Sequence, residues 1–457
     1  MIVDEIRRVT GAIERAVAAG PIVPQVTARD IRAHLASRYD FGAPQALEAV
    51  VADVEAMMRR WQVQVTHPRY FGLFNPSVTD ASVVADALTA AYNPQLASWR
   101  TSPAANEIER HTLRWLADRF GFPADASATF TSGGAEANLS AVVLALTRAF
   151  PKYGDEGLRG IDGTPAIYLT SQAHDSFHKI AHMTGIGRGA LRVVATDADL
   201  RMDLSDLVRQ VSDDRRRGLS PLMVVGTAGT TAAGAIDPLR ELAWFCRVHS
   251  LWFHVDAAWG GAAIIAPELR HHLDGIGAAD SITCDAHKWF SVPMGAGMFF
   301  CRHPQIVAEA FRAKTAYMPP ASDDSTVDPY VTSVQWSRRF TGLKLFLALA
   351  ERGEAGYAEM IAHQARMGDL LRDALRREGW RIVNNTPLPL VCFTRDGLVA
   401  SDFLAALYRR QIAWMSEVRL GGGPPVVRAA ITSFRTTPAD ITQVVEDMTR
   451  IQSEVHT

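Results

Sequence analysis

The chain of 457 residues, 48% of them hydrophobic, can bury a large core and is too long for one compact layer, so two or three domains are expected. Its 47 Lys and Arg against 49 Asp and Glu leave a formal charge of −2, with no basic stretch to track a phosphate backbone, so nucleic acid is not an expected partner. No apolar run approaches the roughly 18 residues of a membrane span, and Cys246, Cys284, Cys301 and Cys392, scattered without chelating spacing, read as reduced core residues of a cytoplasmic protein.

At the N-terminus Ile2, Ile6, Val9, Ile13 and Val17 fall at helical spacing with charges between them, which predicts an amphipathic helix rather than a signal peptide. Pro21 and Pro24 break it, and a second helix is predicted around 47–60. This segment, residues 1–66, is too short to fold alone and is expected to pack on the main domain or wrap a second subunit. From about 128 to 300, short apolar runs near 129–130, 166–169, 191–195, 222–226, 251–255, 281–284 and 297–301 alternate with helical patterns. That alternation predicts a mostly parallel, helix-covered sheet, in which ligands gather beyond the carboxyl ends of the strands. Gly133-Gly134, His174, Thr231, Asp256 and Lys288 each follow one of these strands, so five segments bring their chemistry to one edge.

Beyond Pro319-Pro320 a polar stretch, 321–330, has no period and reads as a lid or a disordered loop. A long helix near 342–378 follows, then strands near 381–384, 388–393 and 426–432 with helices at 401–411 and 438–452, a smaller α+β domain. The organisation expected is therefore 1–66 helical, 67–315 a large sheet domain, and 316–457 the loop and small domain.

The chemistry centres on Asp285-Ala286-His287-Lys288, which follows an apolar strand and precedes Trp289-Phe290. A lysine taken out of water there becomes a neutral amine able to attack a carbonyl. Upstream, His254-Val255-Asp256-Ala257-Ala258 delivers a carboxylate at a strand end. Either residue alone would read as a cap. Together they suit pyridoxal 5'-phosphate, which needs a lysine for its aldehyde and an anion to keep its pyridine nitrogen protonated. Gly133-Gly134-Ala135, opening an apolar helix, suits the phosphate, although such a helix entry is often only structural. His174 could stack on the ring or simply cap a helix, and Thr231 sits among small residues that admit a planar ligand. The histidines His174, His178, His182, His271 and His272 are not read as a chelating set, and no metal is expected.

These motifs resemble the group II pyridoxal-phosphate-dependent amino-acid decarboxylases, which include the aromatic-L-amino-acid, tyrosine, histidine and glutamate enzymes. The likeness runs from about His67 to the C-terminus through His67-Pro68-Arg69-Tyr70-Phe71, Ser98-Trp99 with Ser102-Pro103, Ser132 to Ala137, Gln172-Ala173-His174, Gly229-Thr230-Thr231, His254 to Ala258, His287-Lys288-Trp289 and Arg338-Arg339-Phe340. The resemblance implies a fold-type I α/β enzyme, like aspartate aminotransferase, with a seven-stranded, mostly parallel sheet and homodimeric active sites at the subunit interface. It assigns Lys288 as the Schiff-base lysine, Asp256 as the pyridinium partner and His174 as the stacking ring. Gly134 and Ala135 match the phosphate turn, Thr231 and Ala258 match positions near the ring, and His287 matches a histidine touching phosphate and substrate. A loop tyrosine that reprotonates the quinonoid carbon after CO2 leaves is matched to Tyr330, with an exposed loop tyrosine as the alternative.

Within Phe71-Gly72-Leu73-Phe74-Asn75-Pro76, the apolar Leu73 and Phe74 disfavour an acidic substrate, and Ala97, beside Ser98-Trp99, leaves room where relatives carry a bulkier residue. The implied reaction is decarboxylation of a hydrophobic or aromatic L-amino acid to its amine. Transamination and oxidative aldehyde formation share the same lysine and aspartate, and a non-catalytic protein retaining the cofactor is a remoter alternative.

Overall fold

The computed structural model describes residues 2–75, 77–313 and 326–455. Pro319-Pro320 and residues 321–325 of the polar stretch expected at 321–330 lie outside the described residues. Seven strands form the main sheet: β1 (Ser127–Thr131), β2 (Thr164–Thr170), β3 (Leu191–Val194), β4 (Leu219–Thr227), β5 (Trp252–Asp256), β6 (Ser281–Asp285) and β7 (Gly297–Cys301). Their order is β1-β7-β6-β5-β4-β2-β3; neighbours from β6 to β3 run parallel, and β7 is antiparallel to both β1 and β6.

A parallel sheet must be covered on both faces, and the strand residues divide by their period of two. Val224, Phe253, Val255, Ile282 and Phe300 face one core, which includes Leu113, Leu207 and Leu242 from three covering helices. Met223, Val225, Trp252 and Phe299 face the other, against Ala141, Leu144 and Ala145 of the helix Gly134–Ala149. All four cysteines are buried and free, as their apolar settings predict.

The second sheet is antiparallel throughout, in the order β10 (Ser416–Arg419), β11 (Pro425–Ala430), β9 (Leu390–Thr394), β8 (Arg381–Ile382). The long helix Leu343–Arg377 is broken at Gly353, whose φ of 67° lies in the left-handed region that glycine enters without strain. The segment after His67 runs beside the small sheet: Phe71 N–H donates to Trp414 O at 2.8 Å, and Ala430 N–H to Phe71 O at 3.0 Å. This pairing carries Leu73 and Phe74 to the carboxyl edge of the main sheet. At the N-terminus the predicted helices are present as Ile2–Ala18 and Leu47–Arg60, with an unpredicted one at Ala28–Arg38 between them. Among the described residues no helix is long and apolar enough to cross a membrane.

Candidate active site

The helix Gly134–Ala149 begins where β1 ends, and its first backbone N–H groups have no partner within the helix, so they present positive charge at the sheet edge. Glu136, in its first turn, accepts from Ser132 N at 2.9 Å and Ser132 Oγ at 2.6 Å, which fixes the entry. A side chain at Gly134 would place Cβ 3.0 Å from Asp285 Oδ2 and 3.3 Å from Ala258 Cβ, and one at Gly133 would come to 3.6 Å from His287. The turn is therefore a shallow cradle of bare backbone, floored by residues at or just past the ends of β5 and β6. Ala135, next along, is exposed.

Lys288 stands over this floor with its side chain 21% exposed, and its Nζ lies 3.0 Å from Asp285 Oδ2. The sequence suggests an amine in apolar surroundings; the structure instead gives it a buried carboxylate three residues back, and the face of Phe74 at 5.9 Å. Asp285 Oδ1 is buried without a hydrogen-bond partner. His287 accepts at Nδ1 from Ala296 N at 3.2 Å and turns Nε2 toward Asp285 Oδ2 at 3.7 Å. Burial pulls its imidazole below the ordinary range, so it is a neutral ring.

Asp256 closes β5 with 5% of its surface exposed. Its Oδ1 accepts from Ala258 N at 3.1 Å and its Oδ2 from Asn138 Nδ2 at 2.9 Å, so the carboxylate is aimed by the helix Gly134–Ala149 as well as by its own strand.

Phe74 stacks on Trp259 with ring centres 4.5 Å apart, and the Arg428 guanidinium lies over the same Phe74 ring at 4.9 Å. Arg428, on β11, is 3% exposed; it donates from Nε to Thr231 O at 2.8 Å and from Nη1 to Gly72 O at 3.0 Å. Its Nη2 has no partner, and among the described residues no carboxylate pairs with it. Burial lowers its pKa to about 10, the sign of a cation whose charge is not compensated. Thr231 meets this site through its carbonyl. Asn75 accepts from Tyr70 OH at 2.8 Å, and Leu73 is 53% exposed.

His174 is exposed just before the helix Ser176–Met183 and accepts at Nδ1 from Ser176 N at 3.2 Å. Ala97 is buried, and Tyr330 N–H donates to its carbonyl at 3.1 Å while the Tyr330 ring packs on Trp336 at 4.9 Å. Trp99 N–H donates to Asp328 Oδ1 at 2.7 Å, so the Ala97–Trp99 stretch is an anchor for the segment around Tyr330. Gln335 Nε2, farther along, reaches Glu136 Oε2 at 2.8 Å.

The structure thus joins Gly133, Gly134, Ala258, His287 and Lys288 through Asp285, and Phe74 and Thr231 through Arg428. Asn138, Asp285 and Arg428 are the residues that sequence reasoning leaves without a role. A signal existed for each: Asp285 stands three residues before Lys288, Asn138 is a polar residue at the buried start of an apolar helix, and Arg428 is the one charge in the strand Pro-Val-Val-Arg-Ala-Ala.

The pyridoxal-dependent decarboxylase conserved domain matches residues 35–395. The chain is 28% identical to an aromatic-L-amino-acid decarboxylase of Bacillus atrophaeus, over 86% of this chain and 82% of that one. It is 27% identical to a 4-hydroxyphenylacetaldehyde synthase of Rhodiola rosea, over 88% and 84%. The crystal structure of a Catharanthus roseus tryptophan decarboxylase with L-tryptophan superposes with a TM-score of 0.89 at 25% identity, covering 99% of this chain and 98% of that one. A cradle that any Cβ would begin to fill, an amine beside it and a carboxylate at the next strand end are a donor set that fits a pyridoxal phosphate.

Proposed function

The chain belongs to the pyridoxal-dependent decarboxylase family, and on that premise we propose that it decarboxylates a hydrophobic or aromatic L-amino acid to the corresponding amine at the site around Lys288. The observation that carries this reading is the convergence of Lys288, Asp256 and the bare Gly133-Gly134 turn on one sheet edge. Pyridoxal 5'-phosphate, when bound, supplies the electron sink for the charge left on the α-carbon as CO2 departs.

Lys288 offers the amine that secures the cofactor's aldehyde, and Asp256 holds a proton at its ring nitrogen. Gly133, Gly134 and Ala135 would hold its phosphate with backbone N–H groups, and His287 would donate to it from Nε2. His174 would cover the cofactor's ring, and Thr231 and Ala258 would border it. Arg428, a buried cation with an unpartnered Nη2, receives the substrate carboxylate. Leu73, Phe74, Asn75, Ala97 and Trp99 border the side-chain pocket; the aromatic face of Phe74, backed by Trp259, supports an apolar or aromatic substrate.

The final protonation falls to a phenol on the connection between β7 and the helix Leu343–Arg377. That connection carries two: Tyr330, anchored on Ala97, and Tyr317, which lies outside the described residues. Two copies form the working unit, with the site at their interface; the exposed Leu73 and Met294, 53% and 62% accessible, support a cover supplied by the second copy. Four buried, free thiols support a reducing, cytoplasmic setting.

The test is to supply the purified holoenzyme with each common L-amino acid and measure CO2 and amine. Equimolar amine and CO2 from an aromatic or aliphatic substrate is the expected result. Keto acid would indicate transamination, and aldehyde with peroxide the reaction of the aldehyde synthase relative; either would overturn the proposal.

A further inference from the structure

Asp256 terminates a buried row of hydrogen bonds whose directions are all determined. Trp252 Nε1 can only donate, and it donates to Ser281 Oγ at 2.8 Å. Ser281 sends its own proton onward to His254 Nδ1, also at 2.8 Å. Across the imidazole, Nε2 lies 3.0 Å from Asn138 Oδ1, an atom that can only accept. The same oxygen accepts from Thr283 Oγ1 at 2.7 Å, and Asn138 Nδ2 donates to Asp256 Oδ2 at 2.9 Å. Turning the amide over would set Oδ1 against a carboxylate, so its orientation is fixed from both sides.

One protonation state satisfies every pair: a neutral His254 with its proton on Nε2. The burial agrees, since His254, Ser281 and Thr283 are fully inaccessible and Trp252 and Asn138 are 1% exposed. Burial also holds the His254 imidazole down to about 4. All of these donors point toward Asp256, and each polarises the next. The surrounding core is Ala, Val, Leu and Phe, where apolar residues of the same volume would pack at least as well as this polar set.

We propose that Asn138 and His254 are positioning residues which, supported by Ser281 and Thr283, hold the Asp256 carboxylate hydrogen-bonded and aimed so that the cofactor's ring nitrogen keeps its proton. The inference rests on the reading of Asp256 as the partner of that nitrogen. It gives the polar network a role in the chemistry rather than in packing alone.

The test uses holoenzyme loaded with pyridoxal phosphate carrying 15N in the ring, whose chemical shift reports protonation of that nitrogen. In the unsubstituted enzyme the signal should be that of a protonated ring. Asn138→Leu should move it toward the unprotonated value and lower kcat by about tenfold or more with KM little changed, the loss expected for one hydrogen bond to a charge. Thr283→Val, nearly isosteric, should move it in the same direction, and Thr283→Ser, which keeps the hydroxyl, should restore it. Should Asn138→Leu fail to fold, the Thr283 pair decides. A protonated signal in both Asn138→Leu and Thr283→Val, with that signal lost in Asp256→Ala, would overturn the positioning role and leave the reading of Asp256 standing. A signal unchanged in Asp256→Ala would overturn that reading, and the inference with it.

Discussion

Replacing His254 changes how folding stability depends on pH, and the size follows from its burial. Its pKa in the folded chain is about 4 against 6.5 for an ordinary histidine, with burial the largest cause. Because the folded value is depressed, the unfolded chain binds more protons between these limits, so the stability that the neutral ring contributes is present above pH 6.5 and is lost as pH falls toward 4. The loss reaches about 2 kcal/mol at pH 5 and about 3 kcal/mol at pH 4. Urea unfolding of the cofactor-free protein at pH 7.5 and at about pH 5, for the natural chain and for His254→Gln, isolates this part, because every other titrating group contributes to both. The natural chain should lose about 2 kcal/mol more than the variant over that interval. Equal losses in the two proteins would mean that His254 titrates normally, and that the buried network does not hold it neutral.

Gly134→Val should weaken cofactor binding by about tenfold or more, since its Cβ alone would stand 3.0 Å from Asp285 Oδ2 and overpacking costs about 1–3 kcal/mol; equilibrium dialysis of the cofactor checks this. Arg428→Leu should reduce kcat/KM by about 10- to 100-fold, the range for a hydrogen bond to a charged group, and Arg428→Lys should not restore it, because the guanidinium uses separate nitrogens for Thr231, Gly72 and the substrate. Steady-state kinetics with the best substrate decide that case. Tyr330→Phe should lose amine formation and release aldehyde, measured by product chromatography; if Tyr317→Phe does so and Tyr330→Phe does not, the proton comes from the other phenol.

The seven strands of the main sheet are legible because each is a short apolar run closed by a small or polar residue, and the chemistry lies at those closures. Asp256 and Lys288 could be picked out only as a pair: either alone reads as a cap, but a carboxylate closing one apolar strand and a lysine three residues beyond another suit a single cofactor. The helix Ala28–Arg38 was not legible: it buries no residue and so shows no apolar period, although Thr27 and Asp30 cap it reciprocally. β10, Ser416–Arg419, is an edge strand of alternating half-buried and exposed residues in which charges hide the period. Arg428 and Asn138 escape for a different reason. Their importance lies in partners from other segments, Gly72 and Thr231 for the arginine, Asp256 and His254 for the amide, and no spacing along the chain encodes those meetings.

Reducing the holoenzyme with borohydride and mapping the labelled peptide by mass spectrometry shows which amine carries the cofactor. One pyridoxyl group per chain should be found, on Lys288, and none in Lys288→Ala. A label on another lysine, or a cofactor retained without any covalent link, would contradict this role of Lys288.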